Sequence, residues 1–442
     1  MGKIHKNRCL LFRFPNAEKM KKLFLLLLFL SLAFSSALKS QLPNGLTVIV
    51  FPRKEVNQLV NITVVIKGGS LVEKTPGAAS FLLRLMPLGT KNHTKEQIQR
   101  ILEDNLIDLQ TEVNENYWSL SLTCPNSSLG EAIKLLGEIL FQPLFDEYDF
   151  ERERKKAISE LEDISSRPFI SAYARLRESL YGTGHPYARL INGTKESLQS
   201  LNLGELRSLH LTYFQPQNIF LAIVGDVQQE KAMQEVTNSL SRFPKGERIS
   251  FSYPFYYPLV RPEVDVMERP STFAYLFIGI PLPGLNPQDY PTFEVIATLL
   301  GQGTSSRLAK ALRWRMGISY DFGALYPPLL GKSHLLVWAV VDPLRVEEAK
   351  EAILNEITSL DDLGQKELER AKNLLLGDYL LSQARLRNFS FNLAWFEAMG
   401  LGYDYQEKFP QLVKDVNIWD VKKVVRRYLK GNYSLLILIP SL

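Results

Sequence analysis

The chain reads as an α+β protein made of two similar halves of about 200 residues each. Three observations predict this: β-branched strands followed by long amphipathic helices, a central stretch rich in Pro and aromatics without a helical period, and a second half that replays the order of the first. With 442 residues, 45% of them hydrophobic, the chain is long enough to bury more than one core.

In the first half, "LPNGLTVIVFP" gives a turn and a strand, and "VNITVVIKGG" a second strand ending at glycines. Helical periodicity follows at about 95–104, 129–141, 147–164 and 170–181, and "NIFLAIVGDV" reads as a buried strand stopped at Gly225-Asp226. The stretch "FPKGERISFSYPFYYPLVRPEV" marks a boundary, so the expected organisation is a half over 38–244, a linker over 245–265 and a half over 266–442. Beyond the linker, "YLFIGIPLPGLNPQDYPTFEVIATLLGQGTSSRL" repeats the strand, turn, helix and Gly-Thr turn of "ITVVIKGGSLVEKTPGAASFLLRLMPLGT". Likewise "DDLGQKELERAKNLLLGDYLLSQ" echoes "LFDEYDFERERKKAISELEDISS".

The N-terminus differs in character. Lys21-Lys22 precede "LFLLLLFLSLAF", with small residues at "SSA", the pattern of a signal peptide that starts at Met1 or Met20 and is cleaved near Ala37. The expected product is periplasmic or secreted, with no stable membrane span. Residues 1–37 hold seven of the 52 Lys and Arg and one of the 47 Asp and Glu, so the remainder carries a net charge of about −1 and nucleic-acid binding loses its support. Cys124 is then the lone cysteine and forms no internal disulfide.

The stretch Gly77–Thr90, "GAASFLLRLMPLGT", carries a resemblance. It is similar to the first helix of the pitrilysin-type (M16) metallopeptidases, the family of mitochondrial processing peptidase, where "GxAHFLEHMLFxGT" holds an inverted His-x-x-Glu-His zinc motif. Aligned without a gap, Ser80 and Arg84 stand where that family has its histidines, and Leu83 where it has the glutamate. Ser is a poor ligand, Arg brings a permanent cation and Leu takes no proton, so metal is disfavoured at this point. The resemblance puts the third ligand, a glutamate in a helix resembling "ERxxVxxEI", at Glu160; Glu153, seven residues earlier, shares its helix face. Both also fit a plain acidic face or an ion pair with Arg84.

A second match lies beyond the linker. The family's "SSRLxxxLRExxGLxYS" resembles "SSRLAKALRWRMGISYDFG", which aligns Arg313 and Tyr320 with an Arg and a Tyr that reach the substrate on a zinc-bearing partner. A Tyr hydroxyl suits an oxyanion, and a guanidinium suits peptide carbonyls. Gly301 and Gly303 fall where regulatory subunits of the family carry a longer substrate-contacting loop, and "DLQT", Asp108–Thr111, replaces the family's substrate-pairing Asn-Ala-x-Thr.

The resemblance therefore implies a chain with no metal of its own that completes a zinc-bearing homologue's peptidase site through Arg313 and Tyr320, with a peptide as substrate. Two alternatives stand beside it: a structural scaffold subunit and a peptide-binding clamp. The four remaining histidines, His93, His185, His210 and His334, are far apart in sequence, and "GQGTSSRL" lacks the Gly-Lys-Ser/Thr of a phosphate loop.

Overall fold

The computed structural model describes residues 37–441 except 166, 255 and 257, and only the backbone of residues 162–165. The leader lies outside the described residues but for Ala37. The first half runs β1 (Leu38–Gln41), β2 (Thr47–Pro52), β3 (Leu59–Lys67), α1 (Ala78–Leu85), α2 (Lys95–Asp104), β4 (Asp108–Val113) and β5 (Tyr117–Pro125). It continues through α3 (Leu129–Phe141), α4 (Glu147–Ser165), α5 (Pro168–Tyr181), α6 (Lys195–Ser200), α7 (Leu203–Tyr213), β6 (Ile219–Gly225) and α8 (Gln229–Leu240). The second half comprises β7 (Glu263–Arg269), β8 (Ala274–Leu282), α9 (Tyr290–Gly301), β9 (Asp321–Leu325), β10 (Ser333–Val341), α10 (Val346–Thr358), α11 (Gln365–Gln383), α12 (Leu386–Ala398), α13 (Tyr405–Asp415), α14 (Ile418–Val424) and β11 (Ser434–Pro440). β7 starts at Glu263, inside the stretch read as linker.

The two sheets repeat one topology. The first has the order β1-β2-β6-β3-β5-β4 and the second β7-β11-β8-β10-β9. In each, the last strand pairs parallel with the first long one, β6 with β2 and β11 with β7, and every other pairing is antiparallel. This matches the expectation of two similar α/β halves, with β1 as an addition to the first.

Period-two alternation sends β3 side chains to two different environments. Val60, Ile62, Val64 and Ile66 enter the core beneath α1 and α3. Asn61 and Thr63 face the other way, and what covers them comes from the far half: α12 packs on β3 and β6. There Thr63 Oγ1 lies 2.8 Å from Ser390 Oγ, and Asn61 Nδ2 donates to Ser121 Oγ and Thr123 Oγ1, both at 2.9 Å. The reciprocal contact is apolar. Helix α5 of the first half lies on β8 and β11, with Leu176 and Leu180 against Phe277, Leu336 and Leu436. Truncating one of these leucines to Ala costs about 2–5 kcal/mol, because the cavity left behind refills only in part.

His334 of β10 is locked under α5. Its ring nitrogens lie 2.9 Å from the Tyr173 hydroxyl and 2.7 Å from that of Tyr181, so one nitrogen donates and the other accepts and the ring is neutral. Burial, with the Arg177 guanidinium nearby, pushes its pKa down to about 3. An unfolded histidine takes its proton near pH 6.5, so the folded chain binds fewer protons below that point. The contribution of His334 to stability is full above about pH 6.5 and falls progressively towards pH 3. In urea titrations between pH 7.5 and 5, His334→Phe should flatten the pH slope by up to about 1.4 kcal/mol per unit, whatever its own stability loss. The remaining slope combines His185 and His210, also lowered by burial, with the raised carboxyls of Glu73 and Glu294, which act in the opposite sense. An unchanged slope would refute this account.

Candidate functional site

Helix α1 is fixed in its first turn through both backbone groups of Ala79. The Glu73 carboxylate accepts the Ala79 N–H at 2.8 Å, and the Trp118 indole donates to the Ala79 carbonyl at 3.0 Å. Glu73 is buried, and desolvation pushes its pKa up to about 8. Phe81, Leu82, Leu83 and Leu85 all face the core, so Leu83 packs and offers nothing that could move a proton. Ser80 and Arg84, four residues apart, share the remaining face, opposite α4.

The structure brings Ser80, Arg84, Glu153 and Glu160 together. Arg84 pairs with Glu160, and its other terminal nitrogen lies 3.8 Å from Glu153 Oε2. Ser80 Oγ donates to Asn192 Oδ1 at 2.8 Å. Asn192, in the "ING" turn, is a site residue that sequence spacing did not single out; nothing but folding brings it over α1. The recess these groups leave is about 70 Å³. The Arg84–Glu160 pair is partly solvent-exposed, so it contributes little to stability, on the order of 0–1 kcal/mol. Its effect is chemical: a guanidinium stands where a cation would need three neutral or anionic donors.

The second cluster is built at the end of α9. A Cβ on Gly301 would sit 2.0 Å from the Ala324 amide nitrogen, so glycine lets α9 lie against the β9 backbone; Gly303, at φ +74°, makes the turn that follows. Both glycines thus serve packing and chain reversal. Arg307 then grips Glu367 of α11 in a bidentate pair, Nε to Oε1 at 3.1 Å and Nη2 to Oε2 at 3.0 Å, and adds Ser359 Oγ at 3.0 Å. The next turns, Ala309–Arg315, are π-helical and end with the Met316 N–H donating to the Ala311 carbonyl at 3.1 Å.

The Arg313 guanidinium lies 4.9 Å from the Trp314 ring centroid and 5.4 Å from that of Tyr320. Tyr320 is 74% exposed and Trp314 62%. Tyr320 leads directly into β9, an edge strand. No hydrogen bond or ion pair among the described residues joins Arg313 or Tyr320 to the Ser80–Arg84 group. Asp108–Thr111 open β4, the edge of the first sheet, so the altered residues keep the unpaired backbone.

The other candidates have structural partners. His93 Nδ1 lies 2.7 Å from Glu138 Oε2, His185 Nδ1 accepts the Tyr187 N–H at 3.1 Å, and His210 Nε2 lies 2.8 Å from the Leu140 carbonyl. Cys124 is buried, and desolvation pushes its thiol up to about 11, away from nucleophilic use.

Two family models match the chain: residues 48–193 match insulinase (peptidase family M16), and residues 200–375 match the peptidase M16 inactive domain. The chain belongs to peptidase family M16. Similar proteins include an uncharacterized zinc protease of Rickettsia bellii, 22% identical over 408 residues, covering 91% of this chain and 97% of the relative. The non-peptidase homolog YmxG of Helicobacter pylori is 22% identical over 373 residues, covering 83% and 85%. Among solved structures, a protease from Helicobacter pylori aligns with a TM-score of 0.84 at 19% identity, covering 92% of this chain and all of that one. The peptidase M16 inactive domain from Pseudomonas fluorescens aligns at 0.83 and 20%, covering 92% and 98%. At these identities the structures establish the M16 fold.

M16 membership raises the matter of zinc, and the residues at α1 do not fit it. Ser80, Leu83 and the ion-paired Arg84 replace two ligands and a base, and among the described residues no three His, Cys, Asp or Glu side chains form a metal-holding group. Purified chain should carry well under one zinc per molecule by elemental analysis, whereas the triple variant S80H/L83E/R84H, with Glu160 as third ligand, should take up about one. Stoichiometric zinc in the unaltered chain would overturn this. Glu367→Ala, which leaves the buried Arg307 guanidinium with Ser359 Oγ as its remaining hydrogen-bond partner among the described residues, should cost about 3 kcal/mol in chemical denaturation.

Proposed function

We propose that this chain is the non-zinc subunit of a secreted, heteromeric M16 peptidase and completes the active site of a zinc-bearing homologue through Arg313 and Tyr320. The observation that carries this reading is the pairing of those two side chains. They sit side by side at the start of an edge strand, with the Tyr320 ring open to solvent and its hydroxyl without a hydrogen bond among the described residues.

Three points of chemistry support it. An edge strand offers unpaired N–H and C=O groups to which an extended peptide adds as a further strand. A guanidinium at its start holds peptide carbonyls, and a phenol donates to the oxyanion formed when a partner's zinc-bound water attacks. The bidentate Arg307–Glu367 pair fixes the segment that carries both. On this reading the chain is inactive alone.

One observation favours a scaffold instead: Asp108–Thr111, on the edge of the first sheet, lack the residues the family uses to pair with substrate. Reconstitution with the zinc-bearing homologue from the same envelope fraction separates the two. Tyr320→Phe should lower kcat by roughly 10²-fold with assembly intact, and Arg313→Ala should mainly raise KM. Full activity in the double variant would make the chain a scaffold.

A further inference from the structure

The two halves place equivalent side chains at equivalent points, which identifies the counterpart of the α1–α4 site in the second half. Arg154 of α4 donates to the Leu201 carbonyl, just before Asn202 caps α7. Lys372 of α11 donates to the Val416 carbonyl at 3.0 Å, just before Asn417 caps α14. With these two residues equated, Asp378 stands where Glu160 does. Equating the turns Gly89-Thr90 and Gly303-Thr304 places Glu294 of α9 opposite Ser80, and Thr298 opposite Arg84. No arginine closes this second position. In place of a recess of about 70 Å³ there is a cavity of about 540 Å³, lined by both Glu294 and Asp378.

The lining is selective. It is aromatic, with Tyr117, Tyr290, Tyr379, Phe391, Trp395 and Phe409 among its walls, and among the described residues it contains no Lys, Arg or His. Glu294 lies deep in it, with the Tyr290 hydroxyl as its hydrogen-bond donor and no salt-bridge partner among the described residues. A half-buried carboxylate with one neutral donor is costly to ionise, and what offsets that cost is a cation. Aromatic faces attract the same charge through their quadrupoles. The volume lies within the roughly 300–1,000 Å³ usual for small-molecule sites.

We propose that this cavity binds a small organic cation with an apolar body, an ammonium or amidinium whose charge meets Glu294 and Asp378 while its body packs among Tyr290, Tyr379 and Trp395. The site is independent of Arg313 and Tyr320 and needs no partner subunit. Burial holds the Glu294 carboxyl near 7, so it gains charge as pH rises through neutrality. The other ionisable groups around it among the described residues are Asp378 and the phenols of Tyr117, Tyr290, Tyr326, Tyr379 and Tyr405, and burial holds all five phenols far above that range.

The test is calorimetric titration of the mature chain with benzyltrimethylammonium, phenethylammonium and benzamidinium, beside benzyl alcohol and phenylacetate as neutral and anionic controls. At least one cation should saturate at one site with a sub-millimolar Kd, and neither control should. Glu294→Gln, which keeps the shape and spares the burial of a charge, should weaken that cation roughly tenfold or more, and Asp378→Asn should weaken it less. Benzyltrimethylammonium, whose own charge does not titrate, should bind more weakly at pH 6 than at pH 8 in the unaltered chain and equally at both in Glu294→Gln. No saturable binding by any of the three, equal binding of benzyl alcohol, or an unchanged Kd in both variants would overturn the proposal.

Discussion

Each sheet presents one face that its own half leaves uncovered, and the cover comes from the other half. Helix α5 lies on β8 and β11, and α12 on β3 and β6. The two contacts are chemically different: hydroxyls and an amide around Asn61, Thr63 and Ser390 on one side, apolar side chains around Phe277 and Leu436 on the other. Between them, Asn116 donates to the Tyr187 hydroxyl at 2.8 Å and accepts the Leu330 N–H at 3.0 Å, fastening a first-half turn to a second-half loop. With both faces supplied across the boundary, the positions of α1, α4, α9 and α11 are set by the whole chain.

That shared frame makes the two internal sites comparable as solutions to one electrostatic problem. A carboxylate held partly out of water is eased by a cation, by several donors or by a proton. In the first half Arg84 provides the cation for Glu160 from within the chain, and the recess closes. In the second half Thr298 holds the equivalent place, its hydroxyl turned back to the Glu294 carbonyl at 2.9 Å, and the space stays open. One repeated scaffold therefore carries a closed recess and an open cavity, and α1 and α9 differ at both facing positions, Ser80 against Glu294 and Arg84 against Thr298.

Much of the fold was legible in the sequence. The β-branched runs became β2, β3 and β6, and the periodic segments became α2, α3, α4 and α5 within a residue or two. Strand β7 was read as linker in part, because "EVDVMER" is an exposed edge whose partner, β11, lies at the far end of the chain. The exchange of α5 and α12 was not legible, since an amphipathic pattern says that a face is buried and not against what. At the first site the resemblance to the M16 motifs pointed Ser80, Arg84, Glu153 and Glu160 to one locus, while Asn192 had no local signal. Glu294 reads in sequence as a stray charge in an apolar helix, and the extra residue per turn in Ala309–Arg315 leaves no compositional trace.

The crossed helices also decide how the chain responds to cutting. A single cleavage in the linker would sever the backbone and leave the halves clasped, since α5 remains seated on the second sheet and α12 on the first. Made separately, each half would expose a naked sheet face and carry an unmated helix, sticky towards its complement and towards itself. The molecule is in this sense a tethered heterodimer, in which the linker keeps each crossing helix within reach of the sheet it covers.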